Sequence, residues 1–325
     1  MPRALYVLLS SLALLCSPAP EAKASSWPER PLKLIVPFTA GSSSDTIARL
    51  VAAKMGDRLG QQVIVENRVG GSTIIGTDAI AKSAPDGYTL GLANTTSHAA
   101  SAALNAKLPF DPLKDFTPIG MIGASPFVLV SSPQLPASKL NEVVDLAKAK
   151  PGALSYASAG TGTLAHLAGE LFKRRAVIDV VHVPYRGTAQ STLDLMQGRI
   201  DLSVSTIPPT LQQIRQGKIR ALAVMSEKRN DMIPEVPTVA EGGIPGCEAE
   251  LWTAIVVPAG VPTHIVGRLN MALNAVVNSH DVQQALKIQG VEPQPGPPET
   301  VTSVIRADLQ KWRDIVVAAK ITEAN

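Results

Sequence analysis

Apolar positions along this chain follow two alternating periods. Leu32-Lys33-Leu34-Ile35-Val36 is a short, nearly continuous apolar run, as expected of a strand buried on both faces. It empties into the small-residue stretch 38–45, after which the period changes. Ile47, Leu50, Val51, Met55 and Leu59 recur at helical spacing, and Gly60 stops the helix. Further strands are predicted at residues 63–65, 88–93, 127–130, 154–157, 180–183, 202–205, 221–225 and 251–257, with helical patterns between many of them. The helix from residue 164 carries Leu164, Leu167, Ala168, Leu171 and Phe172 on one face. Other helices are expected at residues 139–149 and 189–197. The last, 299–319, turns Val301, Val304, Ile305, Leu309, Trp312 and Ile315 inward.

Strands alternating with helices signal parallel sheets with crossover helices, an α/β class. A Pro-marked passage at 108–119 and a Pro/Gly-rich one at 233–246 interrupt the pattern. The simplest architecture is an insertion. The chain leaves a first lobe near residues 122–130, builds a second, and returns near 250–257, so that two crossing strands form a hinge. That division gives lobe 1 as 25–125 with 250–325, and lobe 2 as 126–249.

Four loops follow strand ends and carry small polar residues: 38–45, 94–98, 158–163 and 184–188. A strand that runs through a Gly/Ser loop into a helix aims unpaired N–H groups at one spot, where the helix dipole adds partial positive charge. Such a spot holds a carboxylate or phosphate without any Arg or Lys. A single loop of this kind reads equally well as turn and cap chemistry. Several at strand carboxyl ends favour a ligand, and two lobes facing each other make a cleft.

Composition narrows the partners. The net charge is +3 in 325 residues, with basic residues scattered and Lys173-Arg174-Arg175 the longest cluster, which argues against nucleic acid. Arg3, the apolar run 4–16 and Ala22-Lys23-Ala24 form an export signal with cleavage after Ala24. Cys16 follows Leu15, where a lipoprotein box has a small residue. Cleavage leaves Cys247 alone, without an intrachain disulfide. No second segment approaches the length of a membrane span.

Enzyme signatures are weak. Gly160-Thr161-Gly162-Thr163-Leu164-Ala165 imitates a dinucleotide fingerprint, but an exported chain has little access to NAD. There is no G-K-[ST] loop and no G-x-S-x-G elbow. The five His residues (His98, His166, His182, His264, His280) are dispersed, without zinc-ligand spacing. His166 is the least bland of them, since it lies in the first turn of a helix at a candidate site. Asp45 at another such turn reads as a cap or dipole partner, with a general base as the rival role. A secreted hydrolase using His166 or Asp45 is the reading from a different class.

Several blocks carry a resemblance. Trp27-Pro28, Ile35-Val36-Pro37-Phe38 with Gly41 and Asp45, Glu66-Asn67-Arg68-Val69-Gly70-Gly71, and Ala84-Pro85-Asp86-Gly87-Tyr88-Thr89-Leu90 stand in order along the chain. Asp115-Phe116-Thr117-Pro118-Ile119, residues 156–163 with His166-Leu167, Val183-Pro184-Tyr185-Arg186-Gly187, Asp194-Leu195, Gly198 and Asp201 complete the set. Together they resemble the periplasmic solute receptors of tripartite tricarboxylate transporters, the Bug family, over nearly the whole mature chain. One departure is Ser42, where that family often has a second Gly.

The resemblance implies a two-lobed, type II periplasmic binding protein with Rossmann-like lobes joined by crossing strands. It also implies a small carboxylate held by loop amides, hydroxyls and waters. The expected ligand-binding residues are Phe38, Thr39, Ala40, Gly41, Ser42, Ser43 and Asp45 from the first loop, and Thr95, Thr96 and Ser97 from another. Ser158, Gly160, Thr161, Gly162, Thr163, His166, Tyr185, Gly187 and Asp201 are expected from the second lobe. No catalytic residue, metal or cofactor is expected. The expected chain is a periplasmic monomer that delivers a small organic acid to membrane transport subunits, or reports it to a sensor kinase.

Overall fold

The computed structural model describes residues 27–105 and 107–321; the predicted export signal and its cleavage site lie outside them. In chain order the elements are β1 (Leu32–Val36), α1 (Ser43–Leu59), β2 (Val63–Asn67), α2 (Ile74–Ala81), β3 (Thr89–Asn94), α3 (Ser101–Leu104), β4 (Phe116–Ser131) and α4 (Leu140–Ala149). There follow β5 (Ser155–Ser158), α5 (Leu164–Ala176), β6 (Val181–Pro184), α6 (Thr188–Met196), β7 (Leu202–Thr206), α7 (Pro208–Arg215) and β8 (Arg220–Val224). The chain ends with β9 (Glu250–Pro258), α8 (Thr263–Val277), α9 (His280–Ile288), β10 (Glu292–Pro293) and α10 (Pro298–Ala318).

The strands form two sheets that share β4. In the first, the order is β2-β1-β3-β9-β4-β10, with β1 parallel to β2 and β3. In the second, β6-β5-β7-β4-β8, β5 is parallel to β6 and β7. Residues 116–126 of β4 pair with β9, whereas Phe127 onward pairs with β7 and β8. The sequence pattern gives only 127–130 as strand. The observed strand starts at Phe116 and runs through Pro118, which lies beside a register shift against β9, a setting where a residue without an N–H is tolerated. Gly123 is required there, since a Cβ would lie 2.3 Å from the Glu292 carbonyl of β10.

Each sheet is packed on both faces. Leu34, Val36, Ile47, Val51, Leu269 and Leu273 share one core of the first sheet, and Ile80, Met121, Trp252, Val301 and Ile305 the other. Leu129, Phe172, Leu167 and Val143 build one core of the second sheet, and Val130, Leu195 and Ile207 the other. The helix α10 crosses between lobes. Its Val301 and Ile305 bury against the first sheet, and Trp312, Ile315 and Val316 against the second.

Candidate functional site

At the carboxyl end of β1, the loop 38–45 ends in a compact cap. Ser42 is the N-cap of α1, and its Oγ accepts the Asp45 N–H at 3.3 Å. Asp45 reaches back, its Oδ2 accepting the Gly41 N–H at 2.8 Å. Gly41 takes φ +80°, which a glycine adopts without Cβ strain. The hydroxyl of Ser42 therefore serves the helix. Asp45 is buried, and its charge is met by Arg49 Nε at 3.0 Å and Asn67 Nδ2 at 2.8 Å. Burial alone would raise its pKa, but the hydrogen bonds from Arg49, the Gly41 amide and Asn67 hold it at about 2. Asn67 also donates to the Phe38 carbonyl at 3.0 Å, which ties the loop to the end of β2. The amides of Thr39, Ala40, Ser43 and Ser44 meet no acceptor among the described residues, so this loop presents donors with its own acid fully occupied.

The loop 158–163, at the end of β5, repeats the arrangement. Thr163 is the N-cap of α5, its Oγ1 accepting the His166 N–H at 3.3 Å. The Gly162 N–H, with φ +75°, donates to His166 Nδ1 at 3.1 Å. His166 is stacked on His182 with ring centroids 3.8 Å apart and planes 10° apart. Ser158 Oγ lies 2.8 Å from His182 Nε2 and accepts the Gly160 N–H at 3.2 Å. Burial lowers the pKa of both imidazoles, that of His182 to about 4. The amides of Thr161, Leu164 and Ala165 meet no acceptor among the described residues.

The remaining candidates divide. At the end of β3, residues 96–100 form a wide helical turn instead of the expected open loop. The reason is local: Ser97 Oγ accepts the Asn94 N–H and Asn94 Oδ1 the Ser97 N–H, both at 3.0 Å, closing the turn from within. Ser97 and Thr95 are buried and Thr96 half-buried. Tyr185 and Gly187 follow β6, with Tyr185 Oη donating to Asp194 Oδ2 at 2.9 Å and the Tyr185 N–H to the Ser158 carbonyl at 3.1 Å. Asp201 is not brought to these loops. It precedes β7, where its Oδ2 accepts the Ser155 N–H and hydroxyl at 2.8 Å each. That is the amino end of β5, about 10 Å of strand from Ser158.

One loop escaped the sequence reading. After β2, Gly70, Gly71, Ser72 and Thr73 take φ of 132°, 52°, 49° and 83° in succession, a left-handed turn leading into α2. Holding Ser and Thr there costs about 1–2 kcal/mol each. The Ser101 hydroxyl donates to the Ser72 carbonyl at 3.0 Å and so fixes this turn to α3. The signal was available, since Gly70-Gly71-Ser72-Thr73 is another small-residue loop at a strand end.

The site does not have the form of an active centre. Ser158 and His182 are in contact, but Ser158 is buried and its hydroxyl is also 3.1 Å from the Gly160 carbonyl. Among the described residues no carboxylate is seen bonded to His182 to orient it as a base. The same residues offer no His/Cys/Asp/Glu cluster able to hold a metal. A cavity of about 540 Å³ lies elsewhere, between α4, the far end of α5 and the end of α10, lined by Lys148, Lys173, Val177 and Ile315. Volume alone thus points away from the loops that carry unpaired amides, and the amides are the better guide to chemistry.

Comparison with known proteins gives one consistent result. Residues 47–321 match the family described as tripartite tricarboxylate transporter family receptor. Protein BugT of Bordetella pertussis is 37% identical over 317 residues, covering 97% of each chain. Among solved structures, Rpa4515 of R. palustris with adipate is 34% identical with a TM-score of 0.75, covering 91% of this chain and 99% of that one. MatC from Rhodopseudomonas palustris with bound malate is 31% identical with a TM-score of 0.72, covering 89% and 100%.

Proposed function

The chain belongs to the tripartite tricarboxylate transporter receptor family, a periplasmic family of solute receptors and not of enzymes, and from that premise we propose that it binds a small organic carboxylate between its two lobes and presents it to membrane transport subunits. The observation that carries this reading is that loops 38–45 and 158–163 are built alike. Each presents unpaired amides at a helix start and has its glycine amide tied back by a side chain of the following helix. An anion spanning the two would satisfy donors from both lobes at once. Neighbours at 34% and 31% identity were solved with adipate and malate, which supports a dicarboxylate.

In this reading the lobes are 25–125 with 250–325 and 126–249, and the export signal is removed after Ala24. Thr39, Ala40, Ser43, Thr161 and the first turn of α5 make the direct contacts. Asp45, Ser42, Thr163 and Ser158 shape the loops. The receptor acts as a monomer, and the loaded, closed form is what the membrane partner reads. The test is a thermal-shift screen of the mature protein with mono-, di- and tricarboxylates and aromatic acids. A true ligand at about 100 times its Kd adds about 2.7 kcal/mol of stability. If every carboxylate leaves the melting temperature unchanged while another solute class raises it, the reading fails.

A further inference from the structure

The two anion loops share one capping device with a single chemical difference. In Gly41-Ser42-Ser43-Ser44-Asp45 and in Gly162-Thr163-Leu164-Ala165-His166, the hydroxyl residue accepts the N–H three residues on. The fifth residue of each then accepts the glycine N–H. The fifth residue is an aspartate in the first lobe and an imidazole in the second. A capping box ordinarily uses an acidic residue, and this chain does so at α4, where Glu142 Oε2 accepts the Ser138 N–H at 2.7 Å and the Lys139 N–H at 3.2 Å.

An acid at an anion loop repels the ligand unless its charge is matched. Asp45 is matched by Arg49, one turn further along α1. The equivalent position on α5 is Glu170, and the nearby Lys173 is already paired with it at 2.9 Å. So no cation stands one turn along α5 as Arg49 does on α1. We propose that His166 is a positioning residue that sets the second anion loop by accepting the Gly162 amide with an uncharged atom, and so makes the loop selective for anions.

This inference rests on the reading that loop 158–163 contacts an anion. The groups facing His166 are Glu170 and Lys173 on its own helix, His182 on β6 and Tyr156 on β5. The Nδ1 atom must be unprotonated to accept from Gly162, so the ring carries its proton on Nε2. Burial lowers the His166 pKa, which favours the uncharged ring that this bond needs.

The experiment compares three variants of the mature protein with malate and adipate as probes, at pH 8, where His182 is uncharged. H166N keeps a neutral acceptor and should bind within about twofold of wild type. H166D keeps a cap acceptor but adds an unmatched charge one turn from Glu170; it should melt lower than H166N, and at a temperature where both are folded should bind about tenfold more weakly than H166N, the effect of about 1.4 kcal/mol of repulsion. H166A loses the cap and should lower both stability and affinity. Binding by H166D as tight as wild type overturns the proposal.

Amide NMR of the unliganded protein gives an independent readout. The Gly162 resonance should follow the titration of the His166 ring, while Gly41 stays constant to about pH 3. A Gly162 resonance blind to that titration overturns the proposal. If neither probe binds wild type, the dicarboxylate reading falls, and Gly162 alone decides whether His166 holds the loop.

Discussion

Thr95 Oγ1 donates to the Glu250 carbonyl and accepts the Trp252 N–H, both at 3.0 Å. The last backbone partner of β9 on this side is Asn94, opposite Thr253. The Thr95 side chain therefore carries the ladder on past the end of β3, to where the crossing strand begins. A residue at the edge of the candidate site is in this way part of the hinge. T95V keeps the shape and removes the hydroxyl, leaving a buried N–H and a C=O unpaired. It should cost about 1–3 kcal/mol in urea unfolding, whereas T95S should stay near wild type. Equal stability of the two would mean that the hydroxyl does not serve the strand.

A second prediction concerns Asp45. D45A takes their Asp45 acceptor from the Gly41 amide, Arg49 Nε and Asn67 Nδ2. Loss of the cap should cost about 1–2 kcal/mol of stability and should weaken anion binding more than stability, because the loop is no longer held. The folded pKa of about 2 lies below the ordinary value, so the stabilisation is fully present above the unfolded pKa and lost only as pH falls through about 2. At pH 4 the wild-type loop should therefore remain intact. Calorimetric titration of both proteins at pH 7, alongside their melting temperatures, separates the two effects.

Much of this was legible in the sequence. The strand Leu32–Val36 is read correctly because a strand buried on both faces needs a continuous apolar run. The alternation of strand and helix likewise revealed parallel pairing and put the polar loops at strand carboxyl ends. The misses have physical causes. Ser97 closes a turn with Asn94 through side-chain bonds that no periodicity encodes. Asp201 sits beside a strand, and only the pairing of β5 with β7 decides which end of the sheet it occupies. The capping role of His166 was hidden because an imidazole stands where an acid is the usual signal. The reach of α10 across both lobes follows from one apolar stripe, whose length the sequence gives but whose partners it does not.

Acid should unfold this protein earlier than its carboxylates alone would predict. His98 is fully buried with its Nε2 unpartnered, and burial lowers its pKa to about 3. His182 is likewise lowered by burial, to about 4. In the unfolded chain each takes a proton near pH 6.5, so below that the unfolded state binds more protons and stability falls as pH drops, by about 1.4 kcal/mol per pH unit for each group. Glu250 acts in the opposite sense. Burial first, and then Glu227, Asp308 and Glu248 against the opposing Lys311, raise its pKa to about 7. Its contribution is fully present below the unfolded carboxyl pKa and is lost as pH rises through about 7. E250Q should then stabilise the protein by about 2 kcal/mol at pH 8, have little effect at pH 4.5, and steepen the decline between pH 6.5 and 4.5. A parallel shift at every pH would show that Glu250 stays ionised in the fold.

The last prediction concerns motion. The sheets meet where Phe127 follows Pro126 in β4 and Glu250 opens β9, and short bonds knit this crossing: Phe127 N–H to the Ala249 carbonyl at 3.1 Å and Met225 N–H to the Phe127 carbonyl at 2.7 Å. Two strands in tandem permit rotation of rigid lobes about one axis. The helix α10 limits that rotation, since it is anchored in both cores and Trp252 Nε1 donates to its Asp308 at 2.8 Å. A carboxylate that satisfies donors of both loops binds the closed arrangement better, and only that difference in affinity can shift the equilibrium. Spin labels at I75C and A189C report the distance between the outer edges of the lobes, because both positions are exposed on helices that follow the edge strands β2 and β6. Cys247 will not compete for label, since it is buried and its thiol pKa is pushed up to about 12. The labelled pair should move closer when a binding dicarboxylate is added. W312A, which removes one anchor of α10, should widen the distance distribution of the unliganded protein. Tight binding with an unchanged distance in both proteins would rule out lobe closure as the signal a membrane partner reads.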